Sequence, residues 1–349
     1  METKMPTQPR VQFILKQRYV YGEYTKAYGL YNSCDFVARS LREAGVETDV
    51  VQVVDNNEID REVSRFRPTD CFIEALWCVP DKFKVLARIH PDVRWHVRLH
   101  SKTPFLAVEG MAFEWIRAYA DLRKEGINIW LSPNAYSLYE ELKMLFPGCV
   151  NHTPNVYNPN PEAVAEPVDI QRESEGELHV GLFGALRPLK NHLQQAMWAI
   201  RFADDVEKCP LVLHVNVSEH ERDKTEPVLR NIRSLFAGDR YRLVEHAWMP
   251  HPKFLSLVRQ MDLGLQVSFS ETFNIVAADH VSQGVPIVVS PDIAFVNPFS
   301  IVSPTDSAGA IRAMNRALLL KPFLCPINKV LLKISNRSAM HWWRKTLDI

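Results

Sequence analysis

The sequence predicts an α/β protein with two domains, each built on a parallel sheet that helices cover on both faces. Three observations lead to this fold class. A length of 349 residues exceeds what one hydrophobic core usually holds. Short apolar runs alternate with segments of helical period in both halves of the chain. Between the halves, PNVYNPNPEAVAEPVDIQRESE is rich in proline and acidic residues and has no sustained period.

The first half predicts six strands and several helices in strict alternation. Apolar runs predict strands at 11–15, 48–54, 71–77, 95–99, 127–131 and 149–152. Apolar residues at helical spacing predict helices at 33–44 and 58–66. Asn32 or Ser33 is expected to cap the first helix, and Gly45 to end it. Continuous apolar strands of this kind are typical of a parallel sheet with two buried faces.

The second half repeats this rhythm. Strands are predicted at 178–183, 211–217, 241–244, 263–267 and 286–289, each followed by a helix. The pattern is helical after Ala308, and Trp342 and Trp343 predict a terminal helix docked by its aromatic side chains. A helix that binds a partner or a membrane surface is the alternative. We therefore expect domains at 1–158 and 177–320, a linker at 159–176, and C-terminal helices at 321–349 that pack back on the first domain.

Composition excludes several classes of protein. Lys plus Arg and Asp plus Glu both number 41, so no net charge drives the chain onto nucleic acid or an anionic membrane. The six cysteines are scattered without metal-site spacing, which indicates reduced thiols and no metal site. No stretch approaches the roughly 18 apolar residues of a membrane span, and the first ten residues do not form a signal peptide. The expected location is cytoplasmic.

Two loops that follow predicted strands in the second half carry the chemistry. The first, GLFGALRPLKNH, has Gly184 at the strand end and then Arg187 and Lys190 near a predicted helix start. Cations beside the amides of a helix start favour a phosphate group. A loop with two solvated cations is the alternative.

The second loop is SFSETFNIVAADHVSQGVPIVVS. Ser268, Ser270 and Thr272 offer hydroxyl groups and a possible helix cap. Glu271 and Asp279 are eight residues apart, about 12 Å along a helix, which suits the two ends of a nucleotide-sugar. The alternative is that Glu271 only enriches the first helical turn in negative charge.

The strings ETFNIVAADHVSQGVPIV and GALRPLKN resemble the E-x7-E signature and the phosphate loop of retaining glycosyltransferase family 4, which has the two-domain GT-B fold. The likeness covers about residues 178–290 and is of a bacterial or bacteriophage type. Ala185 replaces the arginine of the family loop, so Arg187 would substitute for it, and Asp279 replaces the second glutamate.

The resemblance implies a sugar transfer from a UDP- or GDP-sugar to an acceptor hydroxyl, without a metal cofactor and with retention of anomeric configuration. It implies Lys190 on the diphosphate, Glu271 at the sugar, Asp279 on the ribose, and the amides after Glu271 on phosphate. The expected donor-binding residues are Gly184, Arg187, Lys190, Ser270, Glu271, Thr272, Phe273, Asn274 and Asp279. The expected catalytic residues are Glu271, His100, Lys190 and Arg187.

The first domain is expected to bind the acceptor. Its first loop is dense in tyrosine, and Tyr19, Tyr21 and Tyr24 could stack on a sugar ring or a nucleobase, or pack only on one another. The strand WHVRLH places Arg98 and His100 on one face, with Glu109 in the loop that follows. His100 could position or deprotonate a hydroxyl, or serve as a structural histidine.

Other functions stay open at the level of sequence. The acceptor could be a carbohydrate, a small molecule, or a hydroxylated DNA base such as 5-hydroxymethylcytosine, as for bacteriophage enzymes of this fold. A sugar- or nucleotide-binding module without turnover is also compatible. A dinucleotide-dependent oxidoreductase is disfavoured, because neither half has a G-x-G-x-x-G turn after a strand.

Overall fold

The structure, a computed structural model, describes residues 8–20, 23–25, 28–162, 167–217 and 222–349. The chain divides into two compact units. Unit 1 comprises Met1–Pro159 and Asn336–Ile349, and unit 2 comprises Asn160–Ser335. The C-terminal helical segment is thus shared between the units: residues 321–335 belong to unit 2, and only 336–349 belong to unit 1.

Unit 1 contains a parallel five-stranded sheet, as the alternating pattern predicts. The strands of unit 1, inside and outside this sheet, are β1 (Arg10–Lys16), β2 (Arg18–Val20), β3 (Glu23–Thr25), β4 (Glu47–Val53), β5 (Asp70–Glu74), β6 (Arg94–Leu99) and β7 (Ile129–Pro133). The sheet has the order β4-β1-β5-β6-β7, and β2 pairs with β3 as a separate antiparallel hairpin. The strand expected at 149–152 is wrong, because Val150 forms only an isolated bridge with Leu131.

The helices of unit 1 connect successive strands. They are α1 (Tyr28–Glu43), α2 (Ile59–Phe66), α3 (Pro80–Ile89), α4 (Thr103–Leu106), α5 (Ala112–Lys124) and α6 (Tyr136–Leu145). Helix α1 begins before the expected caps, and Ser33 instead donates a hydrogen bond to Asn155 Oδ1 at 2.9 Å. Gly45 follows α1 with φ 86°, a left-handed conformation that favours glycine at a helix end.

Unit 2 has the same architecture. Its strands are β8 (Leu178–Leu182), β9 (Leu211–Val217), β10 (Tyr241–Ala247), β11 (Leu263–Gln266) and β12 (Ile287–Val289), in the order β10-β9-β8-β11-β12. All pairs are parallel. The helices are α7 (His192–Phe202), α8 (Arg222–Leu235), α9 (His251–Val258), α10 (Ile275–Gln283), α11 (Ser307–Leu319) and α12 (Lys321–Leu347).

The end of α12 docks through aromatic side chains, as predicted. Trp343 is fully buried in a core cluster of unit 1 and donates a hydrogen bond to the Pro154 carbonyl at 2.8 Å. The six cysteines are free thiols, and all but Cys209 are buried. In the described part of the chain, no helix combines the length and the apolar character that crossing a bilayer requires.

Candidate functional site

Gly184 forms the turn at the carboxyl end of β8 in unit 2. Its φ of 108° lies in a region that side chains other than hydrogen disfavour, so the glycine is needed for this turn. Its amide donates to Asn216 Oδ1 on the neighbouring strand β9 at 3.1 Å. The turn leads to a 3-10 helix, Pro188–Lys190, and α7 begins only at His192, two residues beyond the expected start. Arg187 precedes this 3-10 helix and is exposed.

The two loops singled out in the sequence lie side by side, because β8 and β11 are neighbours in the sheet. The amide of Phe269 donates to the carbonyl of Leu189 at 2.9 Å. Gln195 fixes both loops, since its Oε1 accepts from the Val267 amide and its Nε2 donates to the Lys190 carbonyl. The motifs therefore form one site.

Glu271 is the centre of this site. Its Oε1 accepts three hydrogen bonds, from Lys190 Nζ at 2.6 Å, Ser268 Oγ at 2.8 Å and Asn274 Nδ2 at 2.9 Å. The Glu271 amide donates to Asp292 Oδ2 at 2.9 Å. A cation, a carboxylate and hydroxyl groups thus converge where the parallel strands end, the usual location of ligands in open α/β sheets.

Helix α10 differs from the helix that was expected in this loop. It begins at Ile275, so Glu271 precedes it, and the separation of about 12 Å along one helix does not apply. Its cap is Asn274 rather than Ser270 or Thr272. Asn274 has φ 69°, and its Oδ1 accepts from the Ala277 amide at 2.8 Å while its Nδ2 holds Glu271. Asn274 is therefore committed to the protein's own structure.

Of the other expected donor residues, Ser270 is buried, and its hydroxyl has no partner among the described residues. This hydroxyl has almost no accessible surface, so direct contact with a donor does not fit its burial in this structure. Phe273 packs against Phe295 with ring centroids 5.0 Å apart, and Thr272 is half-buried.

Asp279 is almost fully buried on α10, and its Oδ1 accepts from His251 Nε2 at 2.7 Å. Direct contact between this carboxylate and a ribose, which the resemblance implies, does not fit such burial. His251 is the first residue of α9 and follows β10 by four positions. The histidine is the more accessible member of the pair, with 11% of its side chain exposed against 1% for Asp279.

Unit 1 carries a second cluster at the carboxyl ends of β5, β6 and β7, which are adjacent strands. Glu74 ends β5 and is fully buried. His100 follows β6, and its Nε2 lies 2.5 Å from Glu74 Oε2. Asn134 follows β7, and its Nδ2 lies 3.4 Å from His100 Nδ1, a weak contact.

Arg98 does not fit its expected role in acceptor binding, because its side chain is fully buried. Its Nη1 lies 3.3 Å from Glu74 Oε2, Nη2 donates to Asn155 Oδ1 at 2.6 Å, and Nε donates to the Thr153 carbonyl. The guanidinium of Arg98 also lies 5.3 Å from the centroid of the Trp343 ring, so the end of α12 helps to bury this side chain. Arg98 therefore acts on the site through Glu74.

Ala75 has φ 74°, an uncommon left-handed conformation for a residue with a side chain. Its amide donates to the Arg98 carbonyl at 2.9 Å, which holds the chain in this turn directly after Glu74. Backbone strain of this kind is concentrated at functional sites.

Charge and burial both act on the pKa values of Glu74 and His100. Burial alone would raise the pKa of Glu74, but Arg98 and His100 outweigh it and hold this pKa below its usual value. Burial lowers the pKa of His100, although Glu74 opposes the shift. His100 is thus neutral at pH 7, and its partners assign the proton to Nε2, leaving Nδ1 as an acceptor.

The remaining acceptor residues lie elsewhere or are not described. Glu109 is exposed and accepts from Ser101 Oγ at 3.1 Å. Tyr19 and Tyr24 are paired in the β2–β3 hairpin, but their side chains are not described, and Tyr21 lies outside the described residues.

Solved structures with a similar fold include trehalose-phosphate enzymes. The UDP-forming α,α-trehalose-phosphate synthase of Burkholderia vietnamiensis matches with a TM-score of 0.66 and 12% identity, over 96% of this chain and 98% of that chain. The N-terminal domain of Candida albicans trehalose-6-phosphate phosphatase matches with a TM-score of 0.65 and 12% identity, over 100% and 99%.

An E. coli trehalose-6-phosphate protein bound with UDP-2-fluoro glucose matches with a TM-score of 0.63 and 10% identity, over 97% of this chain and 98% of that chain. The chain has the GT-B fold. No family model and no curated protein sequence matches it. At such low identity, the likeness extends to the fold alone.

Within the GT-B fold, sequence reasoning missed Glu74, Asn134, His251 and Asp292, whereas it named the Ser268 hydroxyl but not its bond to Glu271. One signal was present for Glu74, since a lone carboxylate ends the apolar run CFIE. The others look like ordinary polar residues in the sequence, because the residues that they contact are distant along the chain.

Proposed function

We propose that this protein is a glycosyltransferase that moves a sugar from a nucleotide-sugar, with UDP as the first nucleotide to test and GDP as the second, to an acceptor hydroxyl. One observation carries the proposal: Lys190, Ser268 and Asn274 converge on Glu271 at the strand ends of unit 2. The GT-B fold and the motif resemblance support it. The Burkholderia vietnamiensis relative is UDP-forming, which favours UDP.

In the proposed reaction, Lys190 and Arg187 neutralise the departing nucleoside diphosphate. The bond between the anomeric carbon and the diphosphate oxygen breaks, and negative charge builds on that oxygen. Lys190 Nζ is held by Glu271 in this structure and turns to the diphosphate when the donor binds. Arg187 is exposed one residue before the 3-10 helix and supplies a second cation. Fixed charges of this kind do this work without a metal ion.

Glu271 and the His251–Asp279 pair are proposed to hold the sugar and the ribose. Donors from the protein occupy Oε1 of Glu271, so the sugar hydroxyl is assigned to Oε2. His251 bonds the ribose, and Asp279 orients the imidazole.

His100 is proposed to bind the acceptor hydroxyl through Nδ1, where the hydroxyl replaces the weak contact with Asn134. The new bond joins the acceptor oxygen to the anomeric carbon as the bond to the diphosphate breaks, and the hydroxyl proton passes to Nδ1 of His100. Glu74 keeps Nε2 protonated and so keeps Nδ1 available as an acceptor. Retention of configuration follows from the family 4 resemblance.

The test is release of nucleoside diphosphate from UDP- and GDP-sugars, with and without EDTA, against sugar, small-molecule and hydroxymethylated-DNA acceptors. We expect release with a UDP-sugar that is unaffected by EDTA, and an α-linked product from an α-linked donor by NMR. Calorimetric binding of UDP without release would indicate a binding module. Failure of every nucleotide and nucleotide-sugar to bind would refute the proposal.

A further inference from the structure

An apolar stripe runs along the exposed side of α12. Phe323, Ile327, Val330 and Ile334 are 68%, 46%, 56% and 53% exposed. Their spacing of four, three and four residues places them on one face of the helix. Leu319, at the end of α11, is 70% exposed and immediately precedes this stripe. Single exposed apolar residues are common, but a continuous helical stripe of this length marks an interaction surface.

The opposite face anchors α12 in unit 2. Leu324, Cys325, Asn328 and Leu332 are buried. Asn328 Oδ1 accepts from both the amide and the side chain of Asn297, at 2.9 and 2.7 Å. Because this face is held by the protein interior, the stripe faces away from unit 2.

Basic residues form a row beside the stripe. Lys329, Lys333 and Arg337 are exposed and recur every four residues, so they lie along one flank. Helix α12 contains no Asp or Glu between Lys321 and Leu347. The chain as a whole has equal numbers of acidic and basic residues, so this charge is local to the helix.

We propose that this surface, the α12 stripe with its basic row, binds an anionic lipid bilayer. A helix that lies in a membrane interface buries an apolar face among the acyl chains and sets Lys and Arg beside the anionic headgroups. Both features of α12 are used in this arrangement. The inference is independent of the proposed sugar transfer.

Two other occupants fit the observations less well. A second copy of this chain, paired stripe to stripe, would bring two basic rows together without any acidic residue of α12 to compensate them. Nucleic acid would engage the basic row through phosphate groups but would leave the apolar stripe in water.

The test uses the full chain and sedimentation with vesicles of phosphatidylcholine, alone or mixed with phosphatidylserine. We expect binding to the mixed vesicles only, weakened by added salt. The double variant Ile327→Ser/Ile334→Ser removes the apolar contact and should reduce the partition coefficient at least tenfold. Lys333→Gln/Arg337→Gln should reduce it about fivefold per charge. These positions are exposed, so folding is preserved, and circular dichroism checks it.

The matched control is Met144→Ser, which removes an apolar side chain that is 77% exposed on α6 of unit 1 and should leave vesicle binding unchanged. Equal binding to neutral vesicles, no binding, or binding unaffected by either double variant would overturn the proposal. So would concentration-dependent dimerisation abolished by Ile327→Ser/Ile334→Ser, which would assign the stripe to a second copy. Binding to DNA that needs the basic row but not the stripe would assign the surface to nucleic acid.

Discussion

Both units place a charged pair at the carboxyl ends of their strands, but the two pairs are exposed to different degrees. Lys190 and Glu271 of unit 2 have 24% and 4% of their side chains exposed, whereas Arg98 and Glu74 of unit 1 have 0% each. A partly exposed pair can exchange its partner for a ligand. A fully buried pair cannot, so its contribution is to orient a neighbour, here His100.

This difference separates effects on stability from effects on turnover. Breaking a buried ion pair leaves an uncompensated charge in the protein interior, whereas an accessible pair contributes little to folding. We therefore expect substitutions in unit 1 to act first on stability, and substitutions in unit 2 to act first on catalysis.

The largest effect is expected for Arg98→Ala. It removes the cation that compensates Glu74, together with hydrogen bonds to Thr153 and Asn155. The free energy of unfolding should fall by about 3–5 kcal/mol, the typical cost of leaving one partner of a buried pair alone. Urea denaturation measures it. A loss below about 1 kcal/mol would show that burial does not distinguish the units.

Lys190→Ala should have the opposite profile. Removing one fixed cation from the departing diphosphate should lower kcat about 10²-fold to 10³-fold. Glu271 keeps its bonds to Ser268 and Asn274, and water can reach the place of the partly exposed lysine, so the free energy of unfolding should fall by less than in Arg98→Ala. The exposed Lys124→Ala on α5 is the control and should preserve both quantities. Unchanged turnover in Lys190→Ala would remove this residue from the proposed mechanism.

The clusters of the two units also differ in how much of each the sequence could predict. In unit 2, the donor motifs are contiguous strings, and adjacent parallel strands bring the two loops together, so Lys190, Glu271 and Gly184 were recognisable. The contacts of these residues depend on loop geometry: Gln195 was not recognised, and Ser268 was recognised as a hydroxyl but not as the partner of Glu271.

In unit 1, the cluster is assembled from three separate strands, and the order β5-β6-β7 appears only in the fold. Alternation along β6 placed Arg98 and His100 on one face. It could not predict that Arg98 would be fully buried while His100, just beyond the strand, would keep 16% of its side chain exposed. The cap of α10 was misassigned for a related reason: Asn274 adopts a left-handed conformation that its sequence neighbours do not reveal.

Asp279→Asn should give a smaller effect in unit 2, confined to donor binding. The substitution keeps the shape of the side chain but removes the charge that orients His251. We expect the Kd for UDP to rise about tenfold, equivalent to about 1.4 kcal/mol, with kcat little changed. Calorimetric titration measures it, and His251→Ala should give a similar rise. A rise in one variant without the other would separate the pair.

The smallest effect concerns the pH profile of unit 1. Activity requires neutral His100, whose pKa burial holds below its usual value of about 6.5, so turnover should fall only as pH drops through that lowered pKa. Glu74 opposes this shift by stabilising the protonated ring. In Glu74→Gln the pKa of His100 should fall further, and the acidic limb of kcat/KM should move to lower pH. Rates are compared above the pH at which each variant unfolds, as followed by circular dichroism. A limb that moves to higher pH, or does not move, would mean that the buried carboxylate does not tune the histidine, and that unit 1 contributes only structure.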